Sequence, residues 1–300
     1  NTSGALTQSQ DSSAPSGFAN SLKVACTTAD TSIAAGEQFL LQQRIEGQNL
    51  QAFAKGTSDA KPFAVSFYVK GNASATYICE LHDQDNGRQC SKTFNVTTDW
   101  TRIELTFPAD TTGAFDDDNA RSLNFNIALH AGSTYTSGTL NSSAFASTTN
   151  ANRYVGGSSF FDSTDRTFFI TGVQVEVGQN PTEFEHEPFD VTRRKCNRYF
   201  EKVEVTAGSY AHIGYAYTTT GIRAKQTYEK KRANPTFSFD NQGDVVVFYS
   251  GSNTDADPTW NYHDAGPNSC RVTITLTGVS TTAGYAAAAY VNGSVTYNIK

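Results

Sequence analysis

Two polar clusters and one aromatic loop hold the residue types that could do chemistry in this 300-residue chain. Glu183, Glu185, His186 and Glu187 crowd three carboxylates and an imidazole together, the ingredients of a metal site or an acid/base pair. In an extended backbone the three glutamates share one face and repel unless water or cations meet them. We therefore read a solvated tether, with Arg193, Arg194 and Lys195 as counter-charges. Asp116, Asp117 and Asp118, followed by Asn119, offer oxygens that suit calcium. The Asp-x-Asp-x-Asp-Gly spacing is missing, and three adjacent carboxylates cannot all turn to one ion from an extended strand. A solvated loop is expected there, with calcium left open.

The aromatic loop is DADPTWNYHDAGPN, where Trp260 and Tyr262 lie beside His263, Asp255 and Asp257. Proteins hold sugars by stacking aromatic faces on pyranose C–H groups while amides and carboxylates fix the hydroxyls. Trp260, Tyr262, His263 and Asp257 are thus the candidate receptor or carbohydrate site. A plug over the core or a subunit contact is the alternative. Trp100, at the start of DWTRIEL, is expected in a core instead.

Catalysis finds little support. There is no Gly-x-Ser-x-Gly elbow, and the five histidines (82, 130, 186, 212, 263) have no accompanying motif. A glycosidase needs two carboxylates at a set distance across a cleft, which spacing cannot supply. No catalytic residue and no cofactor is assigned. The cysteines at 26, 79, 90, 196 and 270 show no CxxC or Cys/His ligand spacing, which argues against zinc. Cys79 and Cys90 flank a turn. A two-residue turn at Asn86-Gly87 would set Asp85 opposite Arg88 and Cys79 opposite Phe94, so free thiols are expected.

The elements that must position these residues read as strands. Aromatics make up 12% of the chain and charged residues 17%, a composition of all-β virion or extracellular proteins. The net charge of −6 comes without a basic patch for nucleic acid, and no apolar run is long enough for a bilayer. The chain has no methionine, so Asn1 is not an encoded start and a processed product or fragment is expected. Residues 1–17 read as a Ser-rich linker or arm. Over 18–182 short apolar segments alternate with period two between Asp/Asn/Gly turns, predicting an antiparallel jelly-roll sandwich. In its last strand, Phe169, Thr171, Val173, Val175 and Val177 share one face.

Residues 183–203 read as a tether and a short amphipathic linker helix. Asp190 is its expected N-cap, with Cys196, Tyr199, Phe200 and Val203 on the apolar face. The opposite face is basic, with Arg193, Arg194, Lys195, Arg198 and Lys202. Residues 204–300 return to short strands, a second and smaller β-sandwich domain.

Three motif groups carry a family resemblance. ITGVQVEVG followed by Phe184-Glu185 and Cys196-x-Arg198-Tyr199 resembles the junction in tail-fibre and receptor-binding proteins of tailed bacteriophages. Ile45-Glu46-Gly47-Gln48-Asn49, Ser66-Phe67-Tyr68-Val69-Lys70, Asp110-Thr111-Thr112-Gly113 and Thr149-Asn150-Ala151-Asn152-Arg153 resemble the carbohydrate-binding-module-like domain of such fibres. Arg232-x-x-Pro235-Thr236 resembles the start of their C-terminal β-domain. Relatives often carry a tryptophan before the TNANR run, where Ala144-Phe145 stand in this chain.

The resemblance implies a virion protein assembled in the host cytoplasm, a homotrimeric distal tail-fibre segment that joins other virion proteins. Its partner would be a host-surface receptor, glycan or protein. A head-decoration or capsid-fibre protein is one alternative, and a polysaccharide hydrolase another. The short internal repeats of β-helical phage depolymerases are absent from the sequence.

Overall fold

The computed structural model describes residues 3–239, 245–249, 252–255, 259–277, 280–291 and 295–300. The chain forms two units, Asn1–Glu185 and His186–Lys300, both built from antiparallel strands.

The first unit runs β1 (Ala5–Asp11), β2 (Ser21–Thr28), β3 (Gln38–Glu46), β4 (Phe63–Gly71) and β5 (Ala75–Asp83). It continues with β6 (Arg88–Val96), β7 (Thr101–Phe107), β8 (Arg121–Ala131), helix α1 (Ser133–Thr136), β9 (Ala146–Ser147) and β10 (Thr167–Val177). The strands order as β1-β2-β10-β4-β7 and β3-β8-β5-β6-β9, two five-stranded sheets. Alternation puts Phe63, Phe67, Leu81, Phe94, Phe107, Leu123, Ile127 and Phe168 into one buried core. Burying such side chains at about 2 kcal/mol each is what holds the sheets face to face.

Several sequence expectations change here. Part of the expected N-terminal linker is strand: Ala5–Asp11 pairs along the full length of β2 as a sheet edge. The last strand does not keep one face throughout. Phe168 and Ile170 point into the core, and then the register with β4 slips between Thr171 and Gln174. Gly172 adopts φ +60°, and a Cβ there would lie 2.6 Å from the Phe18 ring. This bulge inserts one residue, so that Val175 packs on the core while Val173 is 42% exposed. The β5–β6 hairpin also has a longer turn than expected. Asp83 pairs with Arg88, which sets Cys79 opposite Lys92 and Cys90 opposite Leu81. Asn86 donates to the Asp83 carboxylate and to the Ala114 carbonyl, holding Gln84–Gly87 as the connection. All five cysteines are free thiols.

The second unit opens with helix α2 (Phe189–Asn197), shorter than the sequence suggested. Pro188 sits at its N-cap and Asp190 falls in the first turn, where a carboxylate still faces the positive end of the helix dipole. At the other end the buried Lys231 ammonium donates to the Asn197 carbonyl at 2.6 Å and to Glu201 at 2.7 Å. That anchor ends the helix, and Val203 belongs to the next strand rather than to the helical face. Strands follow as β11 (Glu201–Val205), β12 (Tyr210–Thr218), β13 (Gly221–Thr227), β14 (Phe237–Phe239) and β15 (Val245–Tyr249). The last five are β16 (Ser252–Asp255), β17 (Thr259–His263), β18 (Ser269–Thr275), β19 (Ala286–Val291) and β20 (Val295–Ile299). A seven-stranded sheet, β16-β15-β19-β12-β13-β18-β17, and a three-stranded one, β11-β20-β14, share a core of Ile222, Val272, Ile274, Ala289, Tyr297 and Ile299.

Candidate functional site

Within DADPTWNYHDAGPN the residues around Trp260 are strand rather than loop. Thr259–His263 forms β17, the edge strand of the seven-stranded sheet, in register with β18 from Thr259↔Thr275 to His263↔Arg271. Five residues alternating Thr-Trp-Asn-Tyr-His are enough for an edge strand, whatever the turn residues around them suggest. Alternation then sends Trp260 and Tyr262 inward and His263 outward. Trp260 is 3% exposed, its ring 4.9 Å from the buried His212 imidazole. Tyr262 stacks on Phe237 with ring centroids 4.1 Å apart. The indole presents no face on which a sugar could stack, and Phe237 covers one face of the phenol. Asp257 lies outside the described residues. Of the three described residues, Trp260 and Tyr262 face the core and His263 faces away from it.

The acidic clusters resolve into local pairing. Lys195 pairs with Glu187, and Arg102 lies 3.6 Å from Glu183. Asp118 accepts the Ala120 N–H in a turn. Among the described residues no group of three or more His, Cys, Asp or Glu side chains is placed to hold a metal.

On the first unit the outward face of β5 and β8 is closed by the chain itself. The segment 132–158 runs along the edge of β6 and back across that face, where Tyr154 packs on Ile78 and Ala128. Under it the fully buried Glu80 carboxylate accepts both arms of Arg153 at 2.7 Å, the Tyr154 hydroxyl at 3.0 Å and Asn126 at 2.8 Å. The TNANR run is therefore a clamp, its arginine anchored bidentately in a desolvated site. Phe145, which stands where relatives carry tryptophan, is buried 5.6 Å from Phe63. Ser159, His130 and Glu37 have the residue types of a hydrolytic triad, and His130 Nδ1 lies 2.8 Å from the Ser159 hydroxyl. But Glu37 is 3.6 Å from the other nitrogen, His130 is 1% exposed, and the serine oxygen already accepts the Phe161 N–H. The trio packs the sandwich end.

A different surface offers an open site. On the outward face of the seven-stranded sheet, β12, β13 and β18 frame a cleft of about 530 Å³. Ile213, Tyr215, Arg223, Lys225, Asp264 and Arg271 line it. Ile213 is 73% exposed and Tyr215 50%, yet both stand on a paired strand rather than a loop. Gly214 forms the floor between them. A Cβ there would sit 2.0 Å from the Arg223 carbonyl oxygen, so only glycine lets β12 close on β13. Tyr215 is paired directly with Arg223, whose guanidinium lies 4.1 Å over the Tyr217 ring. Next to it Lys225 faces Arg271, which meets the Asp264 carboxylate at 3.1 Å. Nε of Arg223 and Nε of Arg271 are both buried and find no acceptor among the described residues. The cleft thus sets the exposed Tyr215 side chain beside three basic ones, Arg223, Lys225 and Arg271.

No protein-family model and no curated protein matches the chain. Among solved structures, a family 30 carbohydrate-binding module is similar at 12% identity with a TM-score of 0.33, over 62% of this chain and 82% of its own. A family 11 carbohydrate-binding module of a Clostridium thermocellum cellulosomal cellulase is similar at 12% identity with a TM-score of 0.30, over 59% of this chain and 85% of its own. The PBSX exported protein XepA is similar at 9% identity with a TM-score of 0.20, over 99% of this chain and 86% of its own. What this chain binds has to be read from its own side chains.

The cleft residues escaped the sequence reading. Ile213, Tyr215 and Tyr217 alternate along β12, and Arg223 and Lys225 alternate along β13 across a tight connection. That pairing of an aromatic row with a basic row was the available signal. It was hidden because Tyr and Ile in a strand read first as core.

Proposed function

We propose that this chain is a non-enzymatic recognition segment of a tailed-phage virion, the distal part of a tail fibre, which holds host-surface glycan in the cleft of its second unit. The observation that carries this is the exposed Tyr215 ring set on a rigid strand among the Arg223, Lys225 and Arg271 donors. An aromatic face beside convergent donors is how proteins hold a pyranose. The order of the fibre-like motifs supports the virion setting. Exposed Phe189, Val191, Tyr199 and Phe200 on and just after α2 support self-association, at 36–79% exposure. Three shallow clefts in a trimer would then multiply weak contacts into firm adhesion.

The test is adsorption. The purified chain should sediment as a trimer and compete with phage for host cells, and Tyr215→Ala should abolish the competition while leaving the melting temperature in place. Binding to assembled capsids without effect on adsorption would mark a head-decoration protein instead. Release of reducing ends from host polymer would mark a hydrolase.

A further inference from the structure

The cleft's charge narrows what it takes. We infer that it selects an anionic saccharide, one bearing carboxylate or phosphate groups, over a neutral one; this rests on the glycan reading above. Lys225 and Arg271 are directly opposed across β13 and β18. Opposed Cβ atoms in such a pair lie about 5 Å apart, and like charges there are destabilising. Arg223 stands two residues along β13 on the same face, about 7 Å away. Three cations therefore occupy a patch the size of one or two sugar rings, and a folded chain retains such a cluster only at some expense in stability.

Among the described residues Asp264 is the one acid lining the cleft, and its ion pair is with Arg271. It makes that pair from a left-handed backbone, φ +52°, a conformation few residues other than glycine accept. Among the described residues Arg223 and Lys225 have no carboxylate partner, and since the Nε atoms of Arg223 and Arg271 are closed to solvent, a ligand would meet the outer guanidinium N–H groups. A planar carboxylate or a phosphate would complete both guanidinium groups, since two N–H groups of an arginine match two anionic oxygens. A neutral hydroxyl would leave the Lys225–Arg271 repulsion unrelieved. Nucleic acid is also anionic and also stacks on tyrosine. However, three cations are too few to track a polynucleotide backbone.

The experiment is calorimetric titration of the full chain with four probes of similar length: an oligogalacturonate, a phosphodiester-linked hexose oligomer, a neutral dextran oligomer and single-stranded DNA. At least one of the first two should bind, and the pair separates carboxylate from phosphate recognition. Affinity should fall with added salt in proportion to the few charges neutralised. Arg223→Gln and Arg271→Gln should each weaken it about tenfold or more, and Arg223→Lys should restore part of that loss. Unchanged melting temperatures would show that these variants fold. Equal or tighter dextran binding that Tyr215→Ala removes would overturn the anionic selectivity while leaving glycan recognition standing. Tighter binding of DNA, binding indifferent to Arg223→Gln and Arg271→Gln, or no binding of any saccharide would overturn the inference, and the last would take the glycan reading with it.

Discussion

Lys225 and Arg271 face each other directly across β13 and β18, two cations in a position where cross-strand neighbours usually attract. The arrangement predicts a trade between stability and binding. Lys225→Glu converts repulsion into an opposed ion pair and should stabilise the second unit by about 0.5–1 kcal/mol. The same change should lower affinity for an acidic saccharide. Chemical denaturation and calorimetry on one preparation check both halves.

Trp260 is predicted to matter for folding rather than for the ligand. Its indole packs in the core with Ile222, Val272, Ile274 and Tyr297, so Trp260→Ala should cost about 3–5 kcal/mol. The second unit should lose its cooperative transition or melt far lower, while the first unit melts as before. A variant that retains the wild-type melting curve and loses binding would return Trp260 to the ligand site.

His212 sets a pH dependence. Burial beside the Trp260 and Tyr297 rings pushes its imidazole down to about 4. An unfolded histidine titrates near 6.5. Between those values the unfolded chain binds the extra proton, so stability contributed by neutral His212 is full above about pH 6.5 and is lost as pH falls toward 4. The loss is on the order of 3 kcal/mol. Urea midpoints of the second unit at pH 7 and pH 4 should show it, and His212→Phe should flatten the difference.

Lys55 holds the first unit together through charge. Its ammonium is 2.5 Å from Asp83 and 3.1 Å from Asp110, and it donates to the carbonyls of Thr112 and Gly113 at 2.9 and 2.7 Å. Burial pushes the Asp110 carboxyl up, but hydrogen bonds from Arg88, the Thr112 N–H and Lys55 hold it below the usual carboxylate range. Lys55→Met strands the buried Asp83 carboxylate, while Asp110 keeps Arg88, and should cost about 3–5 kcal/mol, read from the denaturation midpoint of the first unit. Lys55→Met with Asp83→Asn should recover part of that, because one stranded charge is then removed.

Period-two alternation carried the strand content into view, because alternation reports directly on which side chains face a core. The motif runs were legible as markers, and their work became plain only in three dimensions. Asp110 and Gly113 encircle the Lys55 ammonium, while Arg153 clamps the buried Glu80. These are long-range contacts with no local signature. The β10 bulge was hidden for the same reason: Gly172 reads as any strand glycine until the Phe18 ring beside it is known. The candidate site misled because proline, glycine and aspartate around Trp260 spoke for a loop, while the five residues between them were already an edge strand. Tyr215, by contrast, sits mid-strand with no local mark to set it apart, and is half exposed.

The most direct test of the account is the affinity of the Tyr215→Ala chain for host-surface polysaccharide, measured beside wild type by calorimetry with the melting temperature as control. The account predicts an affinity loss of about tenfold or more, or 1.4 kcal/mol or more, with the fold intact. Undiminished affinity in a folded Tyr215→Ala chain would contradict it and move recognition elsewhere on the molecule.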